Sequence, residues 1–410
     1  MRLSQTVRQV LVGAVGAATA FFVFGGARLL GGGRTAQPID AVPKDSFLVA
    51  TVNLAELRRS PIYESIFGGG PATPSALVAG KTMSALGMGG FAQACGFDPL
   101  ARVEKLAIAV PEGDEHGEFG IAARVQVTQA EIETCARALD SARGGRTTSR
   151  ATRNVGDFTV LEDAGGRGIG YGGNGTGGLL IISKGSWFEA MIGSAEHKKA
   201  TIEESREHNA LRTALTSRAI RESGRAPTAV VTAVLPRALR DRLKGEMTEE
   251  QSHVDSSGDS SVAIMNGVLG VSAVGIALRA GERGQNVDAR AELVCDDAAA
   301  CAAVKELILK KKFAWSRDLG LRMIGFGALI DSLEIEHDGV NLHASVSVSA
   351  NQLSSAIDRA TRWHARADSR QEQQAQQPRE REQPPPPAAA STVTEPDLRI
   401  FARDAGAKAP

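Results

Sequence analysis

The residues best placed for chemistry are four cysteines, Cys95, Cys135, Cys295 and Cys301. No Cys-x-x-Cys pair occurs among them, so the spacing is not that of a zinc site. In an exported chain, such cysteines form disulfides. Four cysteines allow three connectivities, and spacing alone does not choose among them. The local pairs Cys95–Cys135 and Cys295–Cys301 are the expected ones; the alternative is four small buried apolar side chains.

Other candidate groups are weaker. Gly168-Ile-Gly170-Tyr-Gly-Gly173 has the letters of a dinucleotide motif. That motif needs a strand before it and a helix after it, to aim backbone amides at a pyrophosphate. Here more glycine follows, and a glycine-rich hairpin loop is the expected reading. His253-Val-Asp255-Ser-Ser-Gly-Asp259 gathers triad residue types in a Ser-rich loop that no element fixes. It also lacks the spaced carboxylates and distal Glu of a calcium loop. His337 and His343 flank Asp338-Gly339, which reads as a two-residue hairpin turn. That turn pairs His337 with Val340 and sets Glu334 opposite His343, so the two histidines share no metal. Lys310-Lys-Lys312 with Phe313 and Trp315 is a basic-aromatic cluster at an expected helix end. The cations suit the helix dipole there, and contact with anionic lipid is the functional rival. No Walker A, Gly-x-Ser-x-Gly, His-Glu-x-x-His or supported Ser-x-x-Lys pattern occurs. No catalytic, cofactor-binding or metal-ligating residue is therefore assigned.

The elements that position these groups follow from apolar periodicity. Asp45 to Val52 reads as a buried strand, with Asn53 as N-cap of a helix from Leu54 to Arg59. Cys95-Gly-Phe-Asp-Pro-Leu100 is a turn before the strand Val103 to Val110. A polar connection returns the chain as Phe119 to Val127. Thr128 and Glu131 form a capping-box pattern for a helix to about Ala142, its apolar face made by Ile132, Cys135, Ala136 and Leu139. Strands follow within 146–160 and 168–183, and helices over 186–192 and 208–221. The pattern then restarts. Ala229 to Leu235 and Pro236 to Leu243 resemble Phe47 to Asn53 and Leu54 to Arg59. The hairpin 274–294 and the helix 297–309 match the hairpin 106–127 and the helix 128–139, with Cys301 falling on Cys135. Two copies of one α/β unit are expected. A hairpin over 333–348 and a helix over 350–363 close the second copy.

Composition narrows the function. Forty-seven basic and forty-seven acidic groups argue against a nucleic-acid binder. Aromatics at 4% leave an aliphatic core and little stacking surface for bases. Val10 to Leu30 is nearly free of charge and long enough to cross about 30 Å of hydrocarbon as a helix. Arg2 and Arg8 precede it, which favours a cytoplasmic N-terminus and an exported bulk. A cleavable signal peptide ending at Ala18-Thr19-Ala20 is the rival, and it exports the same domain. From about Arg366, Gln, Arg, Glu and then Pro384 to Pro387 cannot build a core, and a disordered tail is expected.

Pro43 to Arg58, the Cys95 to Leu100 turn before a strand, and Cys135 in its helix resemble a group of uncharacterised exported bacterial proteins. Those have an N-terminal anchor or lipoprotein signal and a repeated α/β domain. The resemblance covers roughly Ala41 to Arg362 and implies export and fold, with no active-site residues. This chain has no lipoprotein cysteine.

The expected protein is therefore α+β: two related halves of antiparallel sheet with packed helices, one N-terminal transmembrane helix and a disordered tail. Its divisions are 1–9 cytoplasmic, 10–30 membrane, 31–44 linker, 45–224 first half, 225–363 second half and 364–410 tail. It sits in the cytoplasmic membrane as a single-pass protein with its bulk on the periplasmic side. Expected partners are the lipid bilayer through Val10–Leu30 and an envelope protein, with no nucleic acid and no cofactor. Binding or scaffolding is the leading role; the alternative is an envelope hydrolase with a site between the halves.

Overall fold

A computed structural model describes residues 37–63, 95–97, 100–112, 118–142, 151–162, 166–174, 177–242, 245, 267–281 and 285–359. The apolar segment Val10–Leu30, the His253–Asp259 loop and the Arg366-onward tail lie outside these residues.

The described chain is α+β and is organised on one antiparallel sheet. Its strands are β1 (Ser46–Asn53), β2 (Val103–Pro111), β3 (Gly120–Val125), β4 (Ala151–Val155), β5 (Phe158–Glu162) and β6 (Arg167–Asn174). β7 (Gly177–Lys184), β8 (Ala229–Val234), β9 (Val271–Arg279), β10 (Asn286–Cys295), β11 (Glu334–Asp338) and β12 (Asn341–Ser349) complete it. The order across the sheet is β11-β12-β10-β9-β8-β1-β2-β3-β7-β6-β5-β4. Read outward from β1 it runs β2, β3, β7, β6; read outward from β8 it runs β9, β10, β12, β11. The two sides meet where β1 pairs antiparallel with β8, from Leu48 opposite Ala233 to Val52 opposite Ala229.

The helices are α1 (Leu54–Leu57), α2 (Gln129–Ala142), α3 (Gly185–Ala195), α4 (Arg206–Ser223), α5 (Ala298–Ser316), α6 (Leu319–Ile324) and α7 (Gly327–Asp331), and residues 350–359 are also helical. α2 follows β3 and α5 follows β10, as the sequence correspondence expects. α1 is a single turn, shorter than expected. Asn53 holds the N-cap position, but its amide donates to Glu56 Oε2 at 3.4 Å and caps no backbone N–H. The capping box of α2 is formed. The Thr128 N–H donates to Glu131 Oε2 at 2.8 Å, and the Glu131 N–H to Thr128 Oγ1 at 3.2 Å.

Both faces of the sheet carry core. Directly opposed residues on adjacent strands share a face, so register sorts the side chains. One face holds Ala50, Val52, Leu106, Ala123, Val125 and Tyr171, with Ile132 and Ala136 of α2 packed on them. The other face holds Val49, Ala107, Ala122 and Ile181 under Trp187, Phe188, Met191 and Ile192 of α3. Leu211, Leu215 and Ala219 of α4 are buried at helical spacing. Leu215 clusters with Val230 and Ala277 on that second face.

Glycine density in β6 has a packing cause. A Cβ on Gly168 would lie 2.5 Å from the Phe188 ring, and one on Gly172 would lie 2.8 Å from Phe158. The glycines let aromatic rings sit directly on the strand. The segment Gly168–Gly173 is therefore strand and not loop, and it is followed by another strand, so no helix N-terminus faces it.

Candidate functional site

Both expected disulfides are present, Cys95–Cys135 and Cys295–Cys301. The first ties the segment before β2 to the middle of α2. Phe97 and Arg102 stand beside it: the Arg102 guanidinium lies 4.9 Å over the Phe97 ring and bonds Glu131 Oε1 at 2.7 Å. The Thr128 N–H, and secondarily Arg102, hold the Glu131 carboxyl below its usual range. The second disulfide joins the end of β10 to the first turn of α5 within a cluster containing Val271, Val304 and Leu342.

The hairpin register differs from the expectation. Asp338 pairs with Asn341, His337 with Leu342, Glu336 with His343 and Glu334 with Ser345. The loop is Gly339-Val340, so Glu336, not Glu334, faces His343. The reason is local: Gly339 adopts φ 59°, and a two-residue loop with positive φ at its first position favours Gly there. A loop of Asp338 and Gly339 would set Asp338 in that place.

This register assembles a polar row that no sequence motif announced. Glu292 on β10 is opposite His343 on β12, and His343 is opposite Glu336 on β11. His343 Nδ1 lies 3.6 Å from Glu292 Oε1, an ion-pair separation too long for a hydrogen bond. One step along the sheet, Arg290 is opposite Ser345, and Ser345 is opposite Glu334. From α4, Arg218 reaches Glu336 at 3.3 Å and Glu222 at 3.3 Å, and Arg290 also pairs with Glu222. Arg218, Arg290, Glu292, Glu334, Glu336 and His343 line a hollow open to solvent whose volume is only about 20 Å3. That is far below the usual size of a small-molecule pocket, roughly 300 Å3 and up.

The row has one readable signal in sequence. Asp288, Arg290 and Glu292 alternate along β10, as do His343, Ser345 and Ser347 along β12. Period two marks a polar strand face but does not say which strands will adjoin. The lining holds three carboxylates, Glu292, Glu334 and Glu336, beside the guanidinium groups of Arg218 and Arg290 and the His343 ring, and Glu222 at its edge pairs with both arginines. Among the described residues, no group of three His, Cys, Asp or Glu could hold a metal.

One buried titratable group lies elsewhere. His208 on α4 is fully buried; its Nε2–H donates to the Ser46 carbonyl at 3.0 Å and its Nδ1 accepts from Thr232 Oγ1 at 2.8 Å. Burial is the main cause that pulls its pKa down to about 4, with Arg212 adding to the drop. It is a neutral clasp between β1, β8 and α4.

The two sides of the sheet meet in continuous strand pairing. The junction is the β1–β8 hydrogen-bonded ladder, lined by Val49, Ala50, Thr51 and Val52 against Thr232, Val231, Val230 and Ala229. No described helix is long and apolar enough to cross a membrane.

No protein-family model matches the chain, and no curated protein matches it. Among solved structures, that of crystal form I of TP0453 is similar at 12% identity with a TM-score of 0.38, covering 79% of this chain and 98% of that one. A likeness this distant carries no functional argument.

Proposed function

We propose that this chain is a membrane-anchored protein of the bacterial envelope that binds or scaffolds, and that it is not an enzyme. In this reading Val10–Leu30 stays in the cytoplasmic membrane as a signal anchor, and the sheet faces the periplasm. The sheet is a duplication: residues 45–224 and 225–363 are two copies of one α/β unit. The matching neighbour orders on either side of the β1–β8 pair support that reading, as does a disulfide tying the helix after the third strand on each side. Disulfides also suit an oxidising compartment.

The observation that carries the non-catalytic reading is the β1–β8 ladder. A hydrolase site between the halves needs a cleft there, and continuous strand pairing occupies the place. Pull-down of the full chain from envelope extract in mild detergent tests the role. The reading expects a specific protein partner that co-purifies. Recovery of the chain alone, repeatedly and with its bridges intact, would defeat it.

A further inference from the structure

Five of the ten large apolar side chains exposed among the described residues fall between 309 and 323. They are Leu309, Phe313 (57% exposed), Trp315 (47%), Leu319 (75%) and Met323 (76%). The sequence led us to expect α5 to end near Leu309. Instead it continues to Ser316, and from 309 to 315 every residue but Lys312 is open to solvent. The end of α5 is thus held to the body on its Lys312 side and open on the rest, and α6 begins immediately after it. On α6, Leu319 and Met323 are four apart and lie side by side. Fully burying one such side chain is worth about 1.5–3 kcal/mol, so leaving this group in water is costly without a cover.

Charge indicates the cover. The whole chain is balanced, yet 305–323 holds six basic residues against Glu306 and Asp318. Lys310 and Lys311 are exposed and make no ion pair among the described residues. Lys312 donates to the Leu333 carbonyl at 2.6 Å, and the Arg317 guanidinium stacks 3.9 Å over Phe313. Protein interfaces are depleted in lysine at their centres. A lipid–water boundary takes this composition readily: Trp and Phe at headgroup depth, aliphatic side chains below, and lysines reaching back to anionic phosphates.

We infer that the α5–α6 corner is a second membrane contact, which inserts Phe313, Trp315, Leu319 and Met323 into the surface of an anionic bilayer. It goes beyond the anchor reading and stands on residues far in sequence from Val10–Leu30. All four native cysteines are in disulfides, so Met323→Cys offers one free thiol. The test labels that thiol with a polarity-sensitive nitrobenzoxadiazole dye in the full chain. Asn209→Cys, exposed on α4, is the control. Protein is mixed with vesicles of phosphatidylcholine alone or with one third phosphatidylglycerol, and flotation is measured in parallel. The expected result is a blue shift and several-fold brightening at position 323 with phosphatidylglycerol, little change at 209, and a loss on the order of tenfold in K310E/K311E. Flotation without a dye response at 323 overturns the corner contact while leaving the anchor standing. A response at 323 that needs no lipid and rises with protein concentration also overturns it, in favour of self-association. A lipid-dependent response at 323 with flotation that K310E/K311E abolishes upholds the corner and removes the anchor.

Discussion

Two rows of residues cross the same face of the sheet at matching positions, and they are built oppositely. On the β1 side the row is Thr51, Ala107, Ala122, Ile181 and Gly170. On the β8 side it is Thr232, Gly275, Glu292, His343 and Glu336. Small side chains on the first row let α3 seat Phe188 and Ile192 on the strands. On the second row α4 packs directly on the first two positions, through His208 on Thr232 and Leu215 against Gly275, and reaches the others only with Arg218. Charged or polar residues occupy the rest: Glu292 is buried, His343 is half-buried, and Glu336 at the end is open to water. Equal strand order therefore does not fix what a face carries; side-chain volume and charge decide whether a helix can land.

The sharpest way to break this comparison is to empty the covered row. Phe188→Ala should cost about 3–5 kcal/mol in denaturant unfolding, since a buried ring is lost and the β6 glycines cannot fill the space. A cost below about 1 kcal/mol would mean that α3 does not hold the β1 side together.

The disulfides give a second contrast. The bridges close 40 and 6 residues respectively. Loop-closure entropy then makes C95A/C135A cost about 4 kcal/mol and C295A/C301A about 2 kcal/mol. Thermal or denaturant midpoints of the two double variants check the order; the reverse order would show that burial of Cys301 outweighs loop length.

His208 joins the sides, so its titration loosens their junction. Its folded pKa of about 4 lies below the ordinary 6.5, so between those values the unfolded chain binds the extra proton. Its contribution is complete above pH 6.5 and is lost as pH falls towards 4. The size is on the order of 3 kcal/mol. Unfolding free energies at pH 7 and pH 4.5 for the native chain and His208→Gln test this: the native chain should lose distinctly more.

The smallest effect belongs to the open row. Glu336→Gln, at the open end of that row, should change stability by less than about 1 kcal/mol, because its ion pair with Arg218 is exposed and exposed pairs contribute little. A loss near that of Phe188→Ala would end the contrast between the rows.

Much of the local structure was legible in the sequence. The apolar run at Asp45–Val52 announced a buried strand, Thr128 and Glu131 announced their capping box, and four cysteines in a chain expected to be exported pointed to two bridges, although their spacing did not choose the pairing. What stayed hidden depends on contacts between distant segments. Gly168–Gly173 reads as loop until Phe188, which follows in α3, is seen to fill the space above it. The turn at Gly339-Val340 differs by one residue from the expected one, and that shift alone moves His343 from Glu334 to Glu336. Glu292, His343 and Arg218 come from three separate elements, and alternation along each strand resembles any solvated face. The pairing of β1 with β8 at the centre of the sheet has no sequence signature, because both strands are simply apolar.

Protease treatment of intact bacterial spheroplasts that carry the full chain, followed by mass mapping without reduction, tests the central claim most directly. The account predicts that residues 45–363 are cut from outside, that a short N-terminal remnant stays with the membrane, and that Cys95–Cys135 and Cys295–Cys301 are recovered as bridged peptides. Complete protection of the sheet until the membrane is lysed, together with four free thiols, would contradict it.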